Sequence, residues 1–208
     1  MDAKHHTRIK VCGITRLEDA LTASRLGVDA VGFVFYPKSP RYIDPDKAAA
    51  IIRQLPPFVS AVGLFVNPTQ DLIAEVLQKV PLGVIQLHGD ESPDFCQAQR
   101  RRVIKAIAIG GEEDLKRASK YDCPLLLDAK APQGVYGGTG TSFDWSLLEG
   151  FEHNHPLVLA GGLNASNIEA ALSVRQWFAV DVSSGVEVSP GIKDDTKLCD
   201  FVARVNSF

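Results

Sequence analysis

Two residues at the ends of short strand-like runs could move protons: Cys12, after Ile9-Lys10-Val11, and Asp128, after Leu125-Leu126-Leu127. A free thiol has a pKa of about 8.5 and serves as a base only where positive charge or N–H donors stabilise its thiolate. Cys12 precedes Gly13 and Thr15 at what reads as a strand end, and location alone leaves it open between catalysis and packing. A carboxyl group ending a buried strand is costly unless it is paired or used. Partial desolvation would raise the pKa of Asp128 toward that of a general acid, and the plainer alternative is a structural bridge to a lysine or a loop amide.

Other candidates surround this pair. Ser39-Pro40-Arg41 presents a guanidinium that could hold a carboxylate through two parallel hydrogen bonds, although an arginine there could equally be only solvated. His88, after Gln86-Leu87, could shape a substrate site or be a hydrogen-bonded structural histidine. Asp181 and Glu187 could accept a substrate N–H or anchor a loop, with Asp181 the stronger candidate. Ala160-Gly161-Gly162-Leu163 and Val182-Ser183-Ser184-Gly185-Val186 are turns whose exposed N–H groups could surround a phosphate, and Gly138-Thr139-Gly140 could add donors. Ordinary glycine turns are the alternative for all three.

Apolar or β-branched runs, each followed by a stretch with helical periodicity, would position these residues. The runs are Ile9 to Cys12, Ala30 to Phe35, Ser60 to Val66, Gly83 to Leu87, Val103 to Ile107, Leu125 to Asp128, Leu157 to Ala160 and Phe178 to Val182. Helices are expected to begin near Leu17, Pro45, Thr69, Ser92, Glu112, Trp145, Asn164 and Asp194, the sixth short or weak because Gly134 to Gly150 leaves it little chain. Elsewhere short connections are expected. Eight such units in about 200 residues suit a closed (β/α)8 TIM barrel of the α/β class, with eight parallel strands and outer helices, better than an open doubly wound sheet. No G-x-G-x-x-G follows the first run. Residues 1–208 are expected to form one domain, with residues 1–7 a frayed N-terminal extension. In such barrels the active site lies at the C-terminal ends of the strands, which selects Cys12, Arg41, Asn67, His88, Asp128, Gly161, Gly162, Asp181, Ser183 and Ser184.

Composition narrows the functional classes. With 45% hydrophobic and 23% charged residues the chain resembles an ordinary soluble domain, and its net charge of -3 supplies no basic field for nucleic acid or anionic lipid. No apolar run approaches the roughly 20 residues of a membrane span, and Met1 to Lys10 lacks the apolar core of a secretory signal, so a cytoplasmic location is expected. Cys12, Cys96, Cys123 and Cys199 are far apart in sequence without C-x-x-C spacing, which predicts reduced thiols and no metal site.

Read in order, these pieces resemble the phosphoribosylanthranilate isomerase family across nearly the whole chain. The resemblance rests on Lys10-Val11-Cys12-Gly13-Ile14-Thr15, Gly32-Phe33-Val34-Phe35 before Ser39-Pro40-Arg41, Val62-Gly63-Leu64-Phe65-Val66-Asn67 and Gln86-Leu87-His88-Gly89. It continues through Leu127-Asp128, Gly137-Gly138-Thr139-Gly140, Leu159-Ala160-Gly161-Gly162-Leu163 and Asp181-Val182-Ser183-Ser184-Gly185-Val186-Glu187 before Pro190-Gly191. Single pieces recur in other barrels; the ordered set is specific. The resemblance implies an Amadori rearrangement with Cys12 as general base and Asp128 as general acid. It also implies Arg41 facing the anthranilate carboxylate, His88 and Asp181 at the substrate, and phosphate held near Gly140, Gly161, Gly162, Ser183, Ser184 and Gly185. Protons then shift within one small phosphorylated molecule, so no organic cofactor or metal is expected.

Rival readings are an indole-glycerol-phosphate synthase, expected to show strand-end Lys and Glu, and a metal-dependent epimerase needing several His and Asp ligands. A third is a catalytically silent barrel that senses a phosphorylated metabolite. Monomer and homodimer both remain open.

Overall fold

Strand and helix alternate as the periodicity predicts, and the strands close on themselves. The computed structural model describes residues 6–130 and 144–208. The strands are β1 (Arg8–Cys12), β2 (Ala30–Val34), β3 (Ser60–Phe65), β4 (Val84–Leu87), β5 (Arg102–Ile109), β6 (Leu125–Ala129), β7 (Leu157–Leu159) and β8 (Ala179–Val182). Each pairs in parallel with the next, and β8 returns to β1 with Lys10 opposite Asp181, completing a closed barrel. Between them run α1 (Leu17–Arg25), α2 (Pro45–Ile52), α3 (Gln70–Lys79), α4 (Pro93–Gln97), α5 (Glu112–Ala118), α6 (Ile168–Ser173) and α7 (Asp195–Ser207). The sixth connection carries a 3₁₀ turn, Trp145–Leu148, in place of a full helix, in keeping with the short stretch of chain available to it.

Helix starts follow from local chemistry. Asp44, Thr69, Ser92 and Asp194 each accept hydrogen bonds from the first-turn amides of α2, α3, α4 and α7, and Pro45 and Pro93 occupy first-turn positions where no N–H is needed. Such a cap stabilises a helix by about 1 kcal/mol relative to alanine.

Alternation along each strand divides the apolar residues between two layers. Outward residues such as Ile9, Val11, Phe33, Ile85, Leu125, Leu127 and Val180 join the main core under the helices. Inward residues fill the barrel in two smaller groups: Ala106, Leu126, Val158, Ala160 and Ala179 on one side, and Cys12, Val34 and Leu64 on the other. The same inward parity carries Lys10, Gln86, Asp128 and Asp181, all buried.

Short connections were expected outside the sixth, and the eighth departs from this. After β8 come a 3₁₀ turn, Ser184–Val186, and an antiparallel hairpin of β9 (Glu187–Ser189) and β10 (Ile192–Lys193) before α7 begins. The hairpin is tied down by Thr15 Oγ1 donating to Gly191 O at 2.5 Å and by Lys193 N donating to the buried Asp19 carboxylate at 3.1 Å. Strands of three and two residues are too short to leave a periodic trace.

No helix among the described residues is long and apolar enough to cross a membrane. The described cysteines are free thiols. Cys96 and Cys123, distant in sequence, nevertheless line one cavity.

Candidate active site

Side chains two apart on a strand share a face, so each strand-end candidate has a companion deeper in the barrel. Lys10 is the companion of Cys12. A Cβ on Gly32, the β2 residue opposite Cys12, would lie 2.9 Å from Cys12 Sγ and 3.1 Å from Lys10 Nζ, so the missing side chain makes room for both groups. Lys10 Nζ donates to Asp181 Oδ1 at 2.8 Å, and both residues are buried. Burial alone would lower the Lys10 pKa, but the charge and hydrogen bond of Asp181, with Cys12 beside them, outweigh it and raise the amine's pKa. Burial pushes the Cys12 thiol up; Lys10 and Lys193 oppose that rise, while Asp181 adds to it.

Lys193 comes from the unexpected hairpin. Its Nζ donates to Cys12 O at 2.6 Å, Glu187 Oε1 at 2.9 Å and Ser183 O at 3.3 Å, fastening the ends of β1 and β8 together.

Asp128, one residue before the end of β6, faces the same interior. Its Oδ1 accepts from Ala129 N at 2.8 Å, and its Oδ2 lies 3.2 Å from His88 Nε2. His88 Nδ1 lies 2.9 Å from Nε2 of Gln86, which is fully buried. Burial raises the Asp181 carboxyl against the pull of Lys10, and the charges of Asp128 and His88 also act on it.

The loop after β4 is braced from beneath. Glu91 accepts from Asn67 N at 2.8 Å and Gly89 N at 3.0 Å, and the buried Lys105 reaches Glu91 Oε2 at 2.8 Å and Gly89 O at 2.6 Å. Asn67, a strand-end candidate, also accepts from Asp90 N at 2.7 Å, so it organises this loop.

Arg41 lies over Gly13, where a Cβ would come within 2.6 Å of Arg41 Cδ. Its Nε and Nη2 donate to Glu187 at 3.0 and 2.8 Å, so much of the guanidinium is held by the protein itself. Glu187 also accepts from Gly191 N at 3.2 Å, which makes it the anchor of the eighth loop, one of the two roles considered for it. Burial would raise the Glu187 carboxyl, but Arg41 and Lys193 outweigh it and hold it below its ordinary 4.5. A depressed folded-state pKa contributes stability that is present above pH 4.5 and lost as pH falls through the folded value. Glu187→Gln should therefore cost about 3 kcal/mol near neutrality by leaving the buried Lys193 and the half-buried Arg41 without their counter-charge. Thermal unfolding should show its deficit against the parent shrinking below pH 4.5.

The turns after β7 and β8 are in direct contact. Gly161 and Gly162 adopt positive φ of 88° and 62°, and a Cβ on Gly161 would meet Ala129 N at 2.6 Å. A Cβ on Gly185 would lie 1.9 Å from Leu163 O, so only glycine permits this approach. Gly162 O accepts from the side chains of Asn164 at 3.1 Å and Asn167 at 3.0 Å, which fixes the turn. The Ser183 hydroxyl donates to Cys12 O at 3.1 Å, so that side chain serves the strand junction. Gly140, the remaining phosphate candidate, lies outside the described residues, as does the rest of the Gly137-Gly140 segment. Among the described residues, no group of three or more His, Cys, Asp or Glu could hold a metal ion.

Ionisable groups gathered at the C-terminal end of a closed parallel barrel, beside paired glycine turns, place the chain among the (β/α)8-barrel enzymes. A family model described as N-(5'phosphoribosyl)anthranilate (PRA) isomerase matches residues 9–204, and the chain belongs to that family. N-(5'-phosphoribosyl)anthranilate isomerase of Acidithiobacillus ferrooxidans is 51% identical over 201 residues, covering 95% of this chain and 97% of the relative. The crystal structure of phosphoribosyl anthranilate isomerase from Thermotoga maritima superposes with a TM-score of 0.91 at 48% identity, covering 97% of this chain and all of that one. A phosphoribosyl anthranilate isomerase in complex with reduced 1-(o-carboxyphenylamino)-1-deoxyribulose 5-phosphate superposes with a TM-score of 0.87 at 45% identity, covering 97% of this chain and 100% of that one.

Sequence reasoning had not singled out Lys10, Lys193 or Gln86. The first and last carried a usable signal, being polar residues two positions before a strand-end candidate and therefore on its face.

Proposed function

We propose that this barrel isomerises N-(5-phosphoribosyl)anthranilate to 1-(2-carboxyphenylamino)-1-deoxyribulose 5-phosphate, with Cys12 as general base and Asp128 as general acid. One observation carries the assignment: Lys10, the inward companion of Cys12, is bonded to Asp181, and Asp128, in contact with His88, faces the interior of the same closed barrel, so both proton-moving groups act on one mouth. Asp128 protonates the ribose ring oxygen; the C1′–O bond breaks as the anilino nitrogen lone pair forms an iminium. Cys12 then removes the C2′ proton, giving an enolamine that tautomerises to the ketone. One proton is given and one taken, so the protein's own side chains suffice.

Each neighbour has a part. Lys10 and Lys193 work against burial at Cys12, so the thiolate that takes the C2′ proton is held by cations in place of water until it becomes the thiol. The glycine turns after β7 and β8 sit where barrels of this class hold phosphate, and their N–H groups are the donors for it. Arg41 spends Nε and Nη2 on Glu187, which leaves its Nη1 edge for the anthranilate carboxylate. Asp181 is placed to accept from a substrate hydroxyl or N–H. Residues 1–208 work as a single domain on a small-molecule substrate.

The test is turnover. Mixed with phosphoribosylanthranilate, the protein should abolish its fluorescence catalytically and yield the deoxyribulose product; saturable binding without loss of substrate would instead indicate a sensor.

A further inference from the structure

We propose that Gln86 is a positioning residue that selects the tautomer of His88 and so keeps the proton of Asp128 available to substrate. The inference rests on Asp128 being the acid, as set out above.

His88 Nδ1 is 2.9 Å from Gln86 Nε2, a group that can only donate, so with the amide in this orientation Nδ1 accepts as the bare nitrogen and the imidazole proton sits on Nε2. That Nε2–H faces Asp128 Oδ2 at 3.2 Å. The other carboxyl oxygen, Oδ1, already accepts from Ala129 N at 2.8 Å. With an N–H directed at each oxygen from the protein side, an acid proton on Asp128 is left to point into the mouth, toward the ring oxygen it must protonate. In the opposite tautomer a bare Nε2 would accept that proton and hold it inside the protein.

Gln86 adopts this orientation at a cost. Its Oε1 is buried without a hydrogen-bond partner, on a side chain with no exposure at all. A residue needed only to fill volume on the inner face of β4 would be better as leucine or methionine, which leave no carbonyl stranded. The amide is explained by what its other end does to His88.

The closing experiment reads the tautomer directly. In uniformly 15N-labelled protein the His88 ring resonances, assigned by their loss in His88→Asn, should show Nε2 protonated and Nδ1 bare near neutral pH. Gln86→Leu should give a mixture of tautomers. Gln86→Glu, which offers only acceptors, should move the proton to Nδ1. Both variants should lose kcat by roughly tenfold to a hundredfold, less than the 10²–10⁴ of a whole general acid, with KM within about twofold of the parent. Protonated Nδ1 in the unsubstituted protein would overturn the proposal without any variant having to fold. An unchanged tautomer or an undiminished kcat in Gln86→Glu would overturn it as well. Failure of the underlying reading looks different: Asp128→Asn would then stay active whatever the state of His88.

Discussion

Asp128→Asn should bind the reaction product's analogues as the parent does and yet turn over substrate about 10²–10⁴ times more slowly, which is about 3–5 kcal/mol of barrier. The substitution is close to isosteric, and its consequences can be followed atom by atom. The amide oxygen can still accept from Ala129 N, as Oδ1 does, so the end of β6 keeps its geometry. The amide nitrogen would face His88 Nε2–H, donor against donor, and it carries no proton that can be given to a ring oxygen, so circular dichroism and analogue titration must show the variant folded before its kinetics are read. The loss should therefore fall equally on kcat and kcat/KM, the pattern of an interaction made only in the transition state. Steady-state kinetics beside titration with a non-reactive product analogue separates this from a binding defect. Parent-like kcat in a folded Asp128→Asn would remove Asp128 from the reaction.

Much of this site could be read from the residues because barrel geometry turns a sequence position into a location. Cys12, His88 and Asp128 stand at strand ends, and the structure brings all three to one interior with Asp181 among them. The glycine turns after β7 and β8 were legible as turns, since Gly161, Gly162 and Gly185 are required by positive φ or by a neighbouring backbone. Lys10 and Gln86 went unnoticed for a physical reason. Residues below the strand ends in a barrel are ordinarily packing, so their spacing of two from a strand-end candidate was the only signal, and a buried lysine is explained fully only when its partner on another strand is known. Asp181, 171 residues from Lys10, is such a partner. Lys193 left less trace still, because it belongs to a two-residue strand whose role is to bring its amine back to Cys12 O. Arg41 was legible as a guanidinium near the mouth, but its pairing with Glu187 was not, since that contact joins two loops 146 residues apart.

Cys12→Ser should be the second severe variant, losing kcat by about 10²–10⁴ while keeping affinity for product analogues. Serine fits the space left by Gly32 and can still meet Lys10, so the barrel should fold. A hydroxyl ionises far less readily than a thiol, and the same burial that raises the Cys12 pKa would disfavour an alkoxide still more. The sign of that shift supplies a test independent of turnover. With its pKa above the ordinary 9.0, Cys12 is a thiol at neutral pH, and its thiolate fraction should grow about tenfold per pH unit up to that value. Iodoacetamide labelling of Cys12, followed by peptide mass, should therefore be slow near pH 7, accelerate steadily toward pH 9, and be suppressed by a bound product analogue. A labelling rate that levels off below pH 8 would mean that Lys10 and Lys193 prevail over burial, leaving the base ionised before substrate arrives.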